Sequence, residues 1–120
     1  MKHPLEGTWQ PVYAELNGEE APRMFLEKLE LHLTAGKYTV RFGGEASDHG
    51  TYEIVATTLT LRGISGANAG RTIPSIFKFA GTALSICYGL SGERPTKFTT
   101  AAGQQLYLVN YERKELEVNR

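Results

Sequence analysis

The sequence predicts an all-β fold, a small antiparallel up-and-down barrel of about eight strands that occupies residues 1–120 as one domain. Apolar residues recur at every second position in short runs separated by Gly, Asn, Asp and Ser, which is the pattern of half-buried strands. No segment with a helical period is long enough for a crossover helix, so a parallel sheet is disfavoured. Closure into a barrel is favoured over a sandwich because it leaves no exposed strand edges.

The first half of the chain contains one strand, an ambiguous segment and a clear hairpin. The first strand, with Trp9, Pro11 and Tyr13 on one face, ends at the turn signal 17–18, Asn-Gly. Residues 20–28 form either one short helix that starts near a proline or a loop over the core. Alternation then predicts a hairpin from residues 29–34 and 37–42, followed by a turn that is bounded by Gly43-Gly44 and by Ser47–Gly50.

The second half repeats the same pattern. Strands are predicted around residues 52–56, 59–62, 73–79, 84–88 and 105–113, and residues 65–70 are a loop by composition. By alternation, the side chains expected to face the interior are Leu31, Leu33, Tyr38, Val40, Phe42, Tyr52, Ile54, Leu59, Leu61, Phe77, Leu84, Ile86 and Tyr88.

Composition excludes several partners. Thirteen basic residues balance thirteen acidic ones, whereas nucleic-acid binding usually requires a basic excess, so we expect no nucleic-acid partner. No apolar run is long enough to cross a membrane, and none at the start resembles a signal segment, so we expect a cytoplasmic protein with no membrane partner. The single cysteine, Cys87, excludes an internal disulfide and favours a reducing compartment.

The residues able to carry chemistry are scattered, so we predict neither a cofactor nor a metal, and an enzyme is disfavoured. Cys87 alternates with Ile86 and Tyr88 and is interpreted as a packing thiol. The three histidines are His3, His32 and His49. His32 has the wrong parity to reach the interior as a haem ligand, and the pair Asp48–His49 is interpreted as a solvated turn.

The tripeptide Gly7-Thr8-Trp9 resembles the start of the first strand in the calycin group, which contains lipocalins, fatty-acid-binding proteins and avidins. In that group a late arginine packs against the tryptophan at the closed end of the barrel. The resemblance implies that Gly7, Trp9 and Arg113 close and brace one end. The guanidinium would stack on the indole and bond to loop carbonyls. A ligand would then be sought at the opposite end.

A longer resemblance covers nearly the whole chain. It is carried by an ordered series of runs: residues 7–15, 37–44, 50–52, 70–73, 84–88 and 93–98. This series is similar to a small, uncharacterised lipocalin-like domain family of bacteria, abundant in planctomycetes. The resemblance implies the fold and brings no catalytic residues with it.

Two hypotheses follow for function. The first is a binding module for a small apolar or amphipathic ligand, because barrels of eight strands are just wide enough to hold one small ligand or to be filled by side chains. Its candidate binding residues are Tyr38, Phe42, Tyr52, Phe77, Tyr88 and Arg94. Arg94 either contacts an anionic ligand or forms an ion pair with a carboxylate that fixes its own loop. The alternative is a structural or protein-interaction domain with a filled barrel, bound to a protein partner or to a second copy.

Overall fold

The computed structural model describes residues 3–114, which form nine strands and one short helix. The elements are β1 (Gly7–Leu16), β2 (Glu19–Glu20), α1 (Arg23–Glu27), β3 (Leu29–Thr34), β4 (Lys37–Phe42), β5 (Glu45–Val55), β6 (Thr58–Gly66), β7 (Thr72–Ala80), β8 (Ala83–Gly89) and β9 (Leu106–Arg113).

The strands β3 to β9 pair in chain order, and β1 pairs with both β3 and β9, so eight antiparallel strands close into a barrel. The strand β2 adds two residue pairs to β1. The predicted up-and-down barrel of about eight strands, with a short helix within residues 20–28, is confirmed. Among residues 3–114, no helix has the length and apolar character needed to cross a membrane.

The two ends of the barrel differ. At one end Trp9 pairs with Leu31 and with Arg113, and the tight turns between β3 and β4, β5 and β6, and β7 and β8 lie there. We call this the Trp9 end. Because the strands are antiparallel, α1 and the β4–β5, β6–β7 and β8–β9 connections all lie at the opposite end, which we call the α1 end.

The interior of the Trp9 end is filled by large side chains. Those with at most 1% of their surface exposed include Leu5, Trp9, Leu33, Leu59, Leu84 and Ile86. Most positions assigned to the interior by alternation are buried, but Phe42 is 39% exposed. As the last residue of β4, it packs against Phe25 of α1 instead, with 5.4 Å between the ring centres.

A bulge in β1 changes which residues face inward. The pairing of β1 with β9 shifts register between Pro11 and Tyr13, so the inward positions are Trp9, Pro11 and then Ala14. The prediction that Tyr13 shares the face of Trp9 is therefore wrong. Tyr13 instead donates a hydrogen bond to Glu15, which is the main reason that its pKa is raised to about 12.

After Trp9, β1 no longer pairs with β3, and residues 17–28 form hydrogen bonds with this part of β1 instead. The N–H of Ala21 donates to the carbonyl of Ala14 at 2.9 Å, and Gln10 Nε2 donates to the carbonyl of Leu26 at 2.9 Å. Leu26 itself is buried in the core. The segment carrying α1 thus covers this side of the α1 end.

The long connection between β8 and β9, residues 90–105, lies against the outside of the barrel. Phe98 of this loop contacts β7, where the ammonium of Lys78 lies 4.5 Å from its ring centre. Thr100 of the loop contacts β1 by donating a 2.8 Å hydrogen bond to Glu15. Between these contacts lie Cys87 and Leu108, a pair of outward-facing neighbours on β8 and β9 that are both buried. The loop therefore forms a second, smaller layer of packing.

Candidate functional site

The α1 end of the barrel contains a cavity of about 210 Å³. For comparison, an engineered apolar cavity of about 150 Å³ binds benzene. The apolar part of its lining includes Phe25, Leu31, Val40, Leu61, Ile73 and Leu90, and the polar part includes Tyr38, Tyr88, Tyr107, Tyr111, Asp48 and Asn68. This is an apolar chamber with a few polar groups, the usual composition of a small-molecule site.

Three of the tyrosines form one cluster at the β8–β9 wall. The hydroxyls of Tyr88 and Tyr111 are 2.6 Å apart and share a hydrogen bond, while the rings of Tyr88 and Tyr107 stack with 5.6 Å between centres. Burial raises the pKa of each of these tyrosines above its ordinary value. They therefore stay neutral at physiological pH and offer hydroxyl donors and acceptors to the cavity.

The only buried carboxylate among residues 3–114 is Asp48, which is 7% exposed. Its Oδ1 accepts the N–H of Asn68 at 3.2 Å, and its Oδ2 accepts Asn68 Nδ2 at 2.7 Å. The hydroxyl of Tyr38 lies 3.4 Å and 3.3 Å from the same two oxygens. The pKa of Tyr38 is raised to about 12, mainly because the side chain is buried and secondly because Asp48 is charged.

Asp48 faces the cavity because β5 starts earlier than its sequence suggests. Residues 47–50 belong to β5, and Asp48 pairs with Val40 in the same register that pairs Gly50 with Tyr38, before the shift that follows Val40. Asp48 therefore lies on the same inward row as Gly50 and Tyr52. The interpretation of Asp48–His49 as a solvated turn is thus wrong for Asp48. His49, on the opposite face of the strand, is exposed as expected.

A close backbone approach brings Asn68 to Asp48. The loop after β6 folds back so that the N–H of Gly70 donates to the carbonyl of Gly63 at 3.0 Å, and a Cβ at Gly63 would collide with the carbonyl oxygen of Asn68. Arg71 then donates to Oδ1 of Asn68 at 3.1 Å and to the carbonyl of Leu90 at 2.6 Å. This contact turns the amide nitrogen of Asn68 towards Asp48.

Of the candidate binding residues, the structure places Tyr38 and Tyr88 on the cavity and the other four elsewhere. Tyr52 and Phe77 are buried towards the Trp9 end: Tyr52 bonds to the β3–β4 turn, and the ring of Phe77 lies 6.0 Å from that of His3. Phe42 lies outside the cavity lining, against α1.

Arg94 pins the outer loop, but not through a carboxylate. Its Nη1 donates to the carbonyls of Ser75 at 2.7 Å and Leu59 at 3.3 Å, and its Nη2 donates to the hydroxyl of Thr60 at 2.8 Å. These acceptors on β6 and β7 fix the start of the 90–105 loop. The guanidinium is therefore committed to the loop rather than to the cavity.

The predicted binding residues do not include Asp48, Asn68, Tyr107 and Tyr111, which also line the cavity. The two tyrosines could have been assigned to the interior, because they alternate with Leu108 and Asn110 on the last strand. Nothing local marks Asn68, since its role depends on a loop folding back across β6. Among residues 3–114, no group of three or more His, Cys, Asp or Glu side chains could hold a metal ion.

The Trp9 end is closed by the residues that the sequence singled out. Arg113 lies with its Cζ 4.2 Å from the centre of the Trp9 ring and donates to the carbonyls of Glu6 and Pro4, both at 2.7 Å. Gly7 has a φ of +139°, and a Cβ there would collide with this guanidinium. The cavity lies at the other end of the barrel.

Searches against protein-family models and against curated proteins give no match. Among solved structures, the chain is similar to an uncharacterized protein from Bacteroides eggerthii, with a TM-score of 0.54 and 9% sequence identity. The similarity covers 89% of this chain and 98% of the other. At this identity the likeness shows the barrel fold that the two chains share.

Proposed function

We propose that this chain is a lipocalin-like binding domain that holds one small apolar or amphipathic ligand in the cavity at the α1 end. The observation that carries the proposal is the 210 Å³ cavity itself, since an interior filled by side chains would leave no such volume. Its apolar walls supply the hydrophobic driving force, and the tyrosine hydroxyls supply the few polar contacts that orient a ligand.

The test compares two substitutions to tryptophan on one strand pair. Val40 lines the cavity, whereas Val55 is 70% exposed at the Trp9 end. We expect toluene and 2-phenylethanol to shift the backbone amide resonances of cavity residues in two-dimensional NMR spectra of the wild type and of Val55→Trp. Val40→Trp, which fills the cavity, should lose these shifts. A wild-type spectrum unchanged by either probe, or equal shifts in both variants, would contradict the proposal.

One observation favours a protein partner as the second candidate. Exposed apolar side chains gather on and beside α1, where Met24 is 75% exposed, Phe25 44% and Phe42 39%. A contiguous exposed apolar patch on a soluble protein often marks an interaction surface. In sedimentation experiments at rising concentration, a wild-type mass above 13.3 kDa that returns to the monomer in Met24→Lys would favour this candidate.

A further inference from the structure

The carboxylate of Asp48 keeps hydrogen-bonding capacity that the fold does not use. An ionised carboxylate offers about four acceptor positions on its two oxygens. Asn68 fills two of them, and the single hydroxyl proton of Tyr38 is shared between the two oxygens at 3.3 Å and 3.4 Å, beyond the usual length of such bonds. At least one acceptor position remains on a side chain that lines the cavity.

The charge of Asp48 also lacks a direct counterion. Buried charges in proteins are normally paired with an opposite charge. Within residues 3–114, the ion pairs join Glu30 to His32 and Lys114, and Glu53 to Arg62, and none includes Asp48. Arg71 acts on Asp48 only through the amide of Asn68, and its exposed guanidinium is screened by solvent.

The other titratable groups around the cavity favour a positive ligand as well. The lining also includes Glu30, whose carboxylate is paired with His32 and Lys114. The four tyrosines of the lining are neutral, and their ring faces attract cations. After burial, the charge of Asp48 is the next cause of the raised pKa of Tyr38, and it is the smallest of several causes that follow burial for the raised pKa of Tyr88. The field of Asp48 thus reaches both rings and disfavours negative charge near them. The same field disfavours a ligand that carries a carboxylate or a phosphate.

We propose that the cavity selects a small protonated organic amine, whose ammonium binds the carboxylate of Asp48 while its apolar or aromatic body lies against Tyr88, Tyr107 and Ile73. This inference rests on the proposed function and narrows its ligand from any small apolar molecule to a cation. A primary ammonium carries three donors, so it can bond to the unused acceptor position and supply the missing charge at the same time.

The test compares three probes of similar size on the full chain by isothermal titration calorimetry near neutral pH: 2-phenylethylamine as the cation, 2-phenylethanol as its neutral counterpart and phenylacetate as the anion. We expect the amine to bind about tenfold more tightly than the alcohol, because both can donate a hydrogen bond to the carboxylate but only the ammonium adds the attraction of an opposite charge. Phenylacetate should bind most weakly.

The outcomes separate this inference from the proposed function. If the alcohol binds as tightly as the amine, or if the anion binds best, the inference is overturned while the proposed function stands. If none of the three binds, both are overturned. Preference for the amine supports both.

The variant Asp48→Asn removes the charge at nearly constant shape, and Glu53→Gln removes an exposed carboxylate from the same strand as a matched control. We expect Asp48→Asn to lose the preference for the amine over the alcohol and Glu53→Gln to keep it. An unchanged preference in Asp48→Asn would overturn the inference. Should Asp48→Asn fail to fold, the ¹³C resonance of the Asp48 carboxyl group in the labelled wild type replaces it. It should shift with the amine and not with the alcohol, and equal shifts with both would overturn the inference.

Discussion

Arg113 lies over Trp9, with its Cζ 4.2 Å from the centre of the indole ring, and its hydrogen bonds join the residues ahead of β1 to the end of β9. The indole nitrogen donates to the carbonyl of Leu5 at 2.9 Å, so Trp9 is held from both sides. The two ends of the barrel therefore have separate tasks. One end is packed and braced by Arg113, and the other contains the cavity.

We expect Arg113→Ala to lower the free energy of unfolding by about 1–2 kcal/mol, since it removes a cation–π contact and two hydrogen bonds from a charged donor. Urea unfolding followed by the fluorescence of Trp9, the only tryptophan, measures the change. Arg62→Ala is the control, because its ion pair with Glu53 joins two exposed side chains and contributes about 0.5 kcal/mol or less. Equal losses in the two variants would show that the stacking on Trp9 has no special role.

We expect Gly63→Ala to weaken binding of 2-phenylethylamine, because the new Cβ collides with the carbonyl of Asn68 and moves that residue away from Asp48. The control is Gly70→Ala, which has open space around its Cβ but a φ of +80°. It should cost about 1 kcal/mol of stability through backbone strain and leave the affinity unchanged. Calorimetry checks both, and matching affinities would argue against a role for the folded-back loop.

Cys87 should react slowly with iodoacetamide in the native protein, because burial removes access and raises the pKa of the thiol. Arg94→Ala should speed the labelling by roughly tenfold or more, since the 90–105 loop loses hydrogen bonds from a charged donor and opens more often. Lys97→Ala, an exposed position in the same loop, is the control. A labelling rate in Arg94→Ala equal to that in the control would rule out this role for Arg94.

All six tyrosines have a pKa above the ordinary value of 10, and those of Tyr13 and Tyr38 lie at about 12. A tyrosine whose pKa is higher in the folded state stabilises the fold fully below pH 10, and its contribution falls as the pH rises towards the folded value. We therefore expect stability to decline above pH 10, with ultraviolet absorbance showing little tyrosinate near pH 10 while the barrel stays folded. Tyrosinate formed near pH 10 with the circular dichroism unchanged would contradict this.

The strands were predictable because alternation is a local property, with two residues per repeat and turn residues at the ends. Leu31 and Leu33, or Ile86 and Tyr88, reveal their shared face within a few positions. Bulges escape this reasoning, since one extra residue in the ladder reverses the facing of everything beyond it while the composition stays the same. Tyr13 was misassigned for that reason.

The site was harder to predict than the fold. The sequence predicts a turn at Asp48 because Ser, Asp and Gly cluster there. In the structure these residues belong to the strand β5. Whether a barrel of eight strands is filled or hollow depends on how side chains from many strands meet across the interior, and no single segment encodes that. Tyr38 and Tyr88 were found because they alternate within strands, whereas Asn68 reaches the site through a long-range fold of the loop.

The hydrogen bonding of β1 beyond Trp9 bears on how quickly the proposed ligand would enter and leave the cavity. There β1 forms hydrogen bonds with residues 17–28 instead of with β3. Among them are the bond from Ala21 to Ala14 and the bond from Gln10 to Leu26. Because these bonds lie outside the closed ring of strands, we expect them to open without global unfolding, and the residence time of the proposed ligand would then not follow global stability. Faster amide hydrogen exchange at Ala21 than at Val109 would show that residues 17–28 open locally while β9 stays paired.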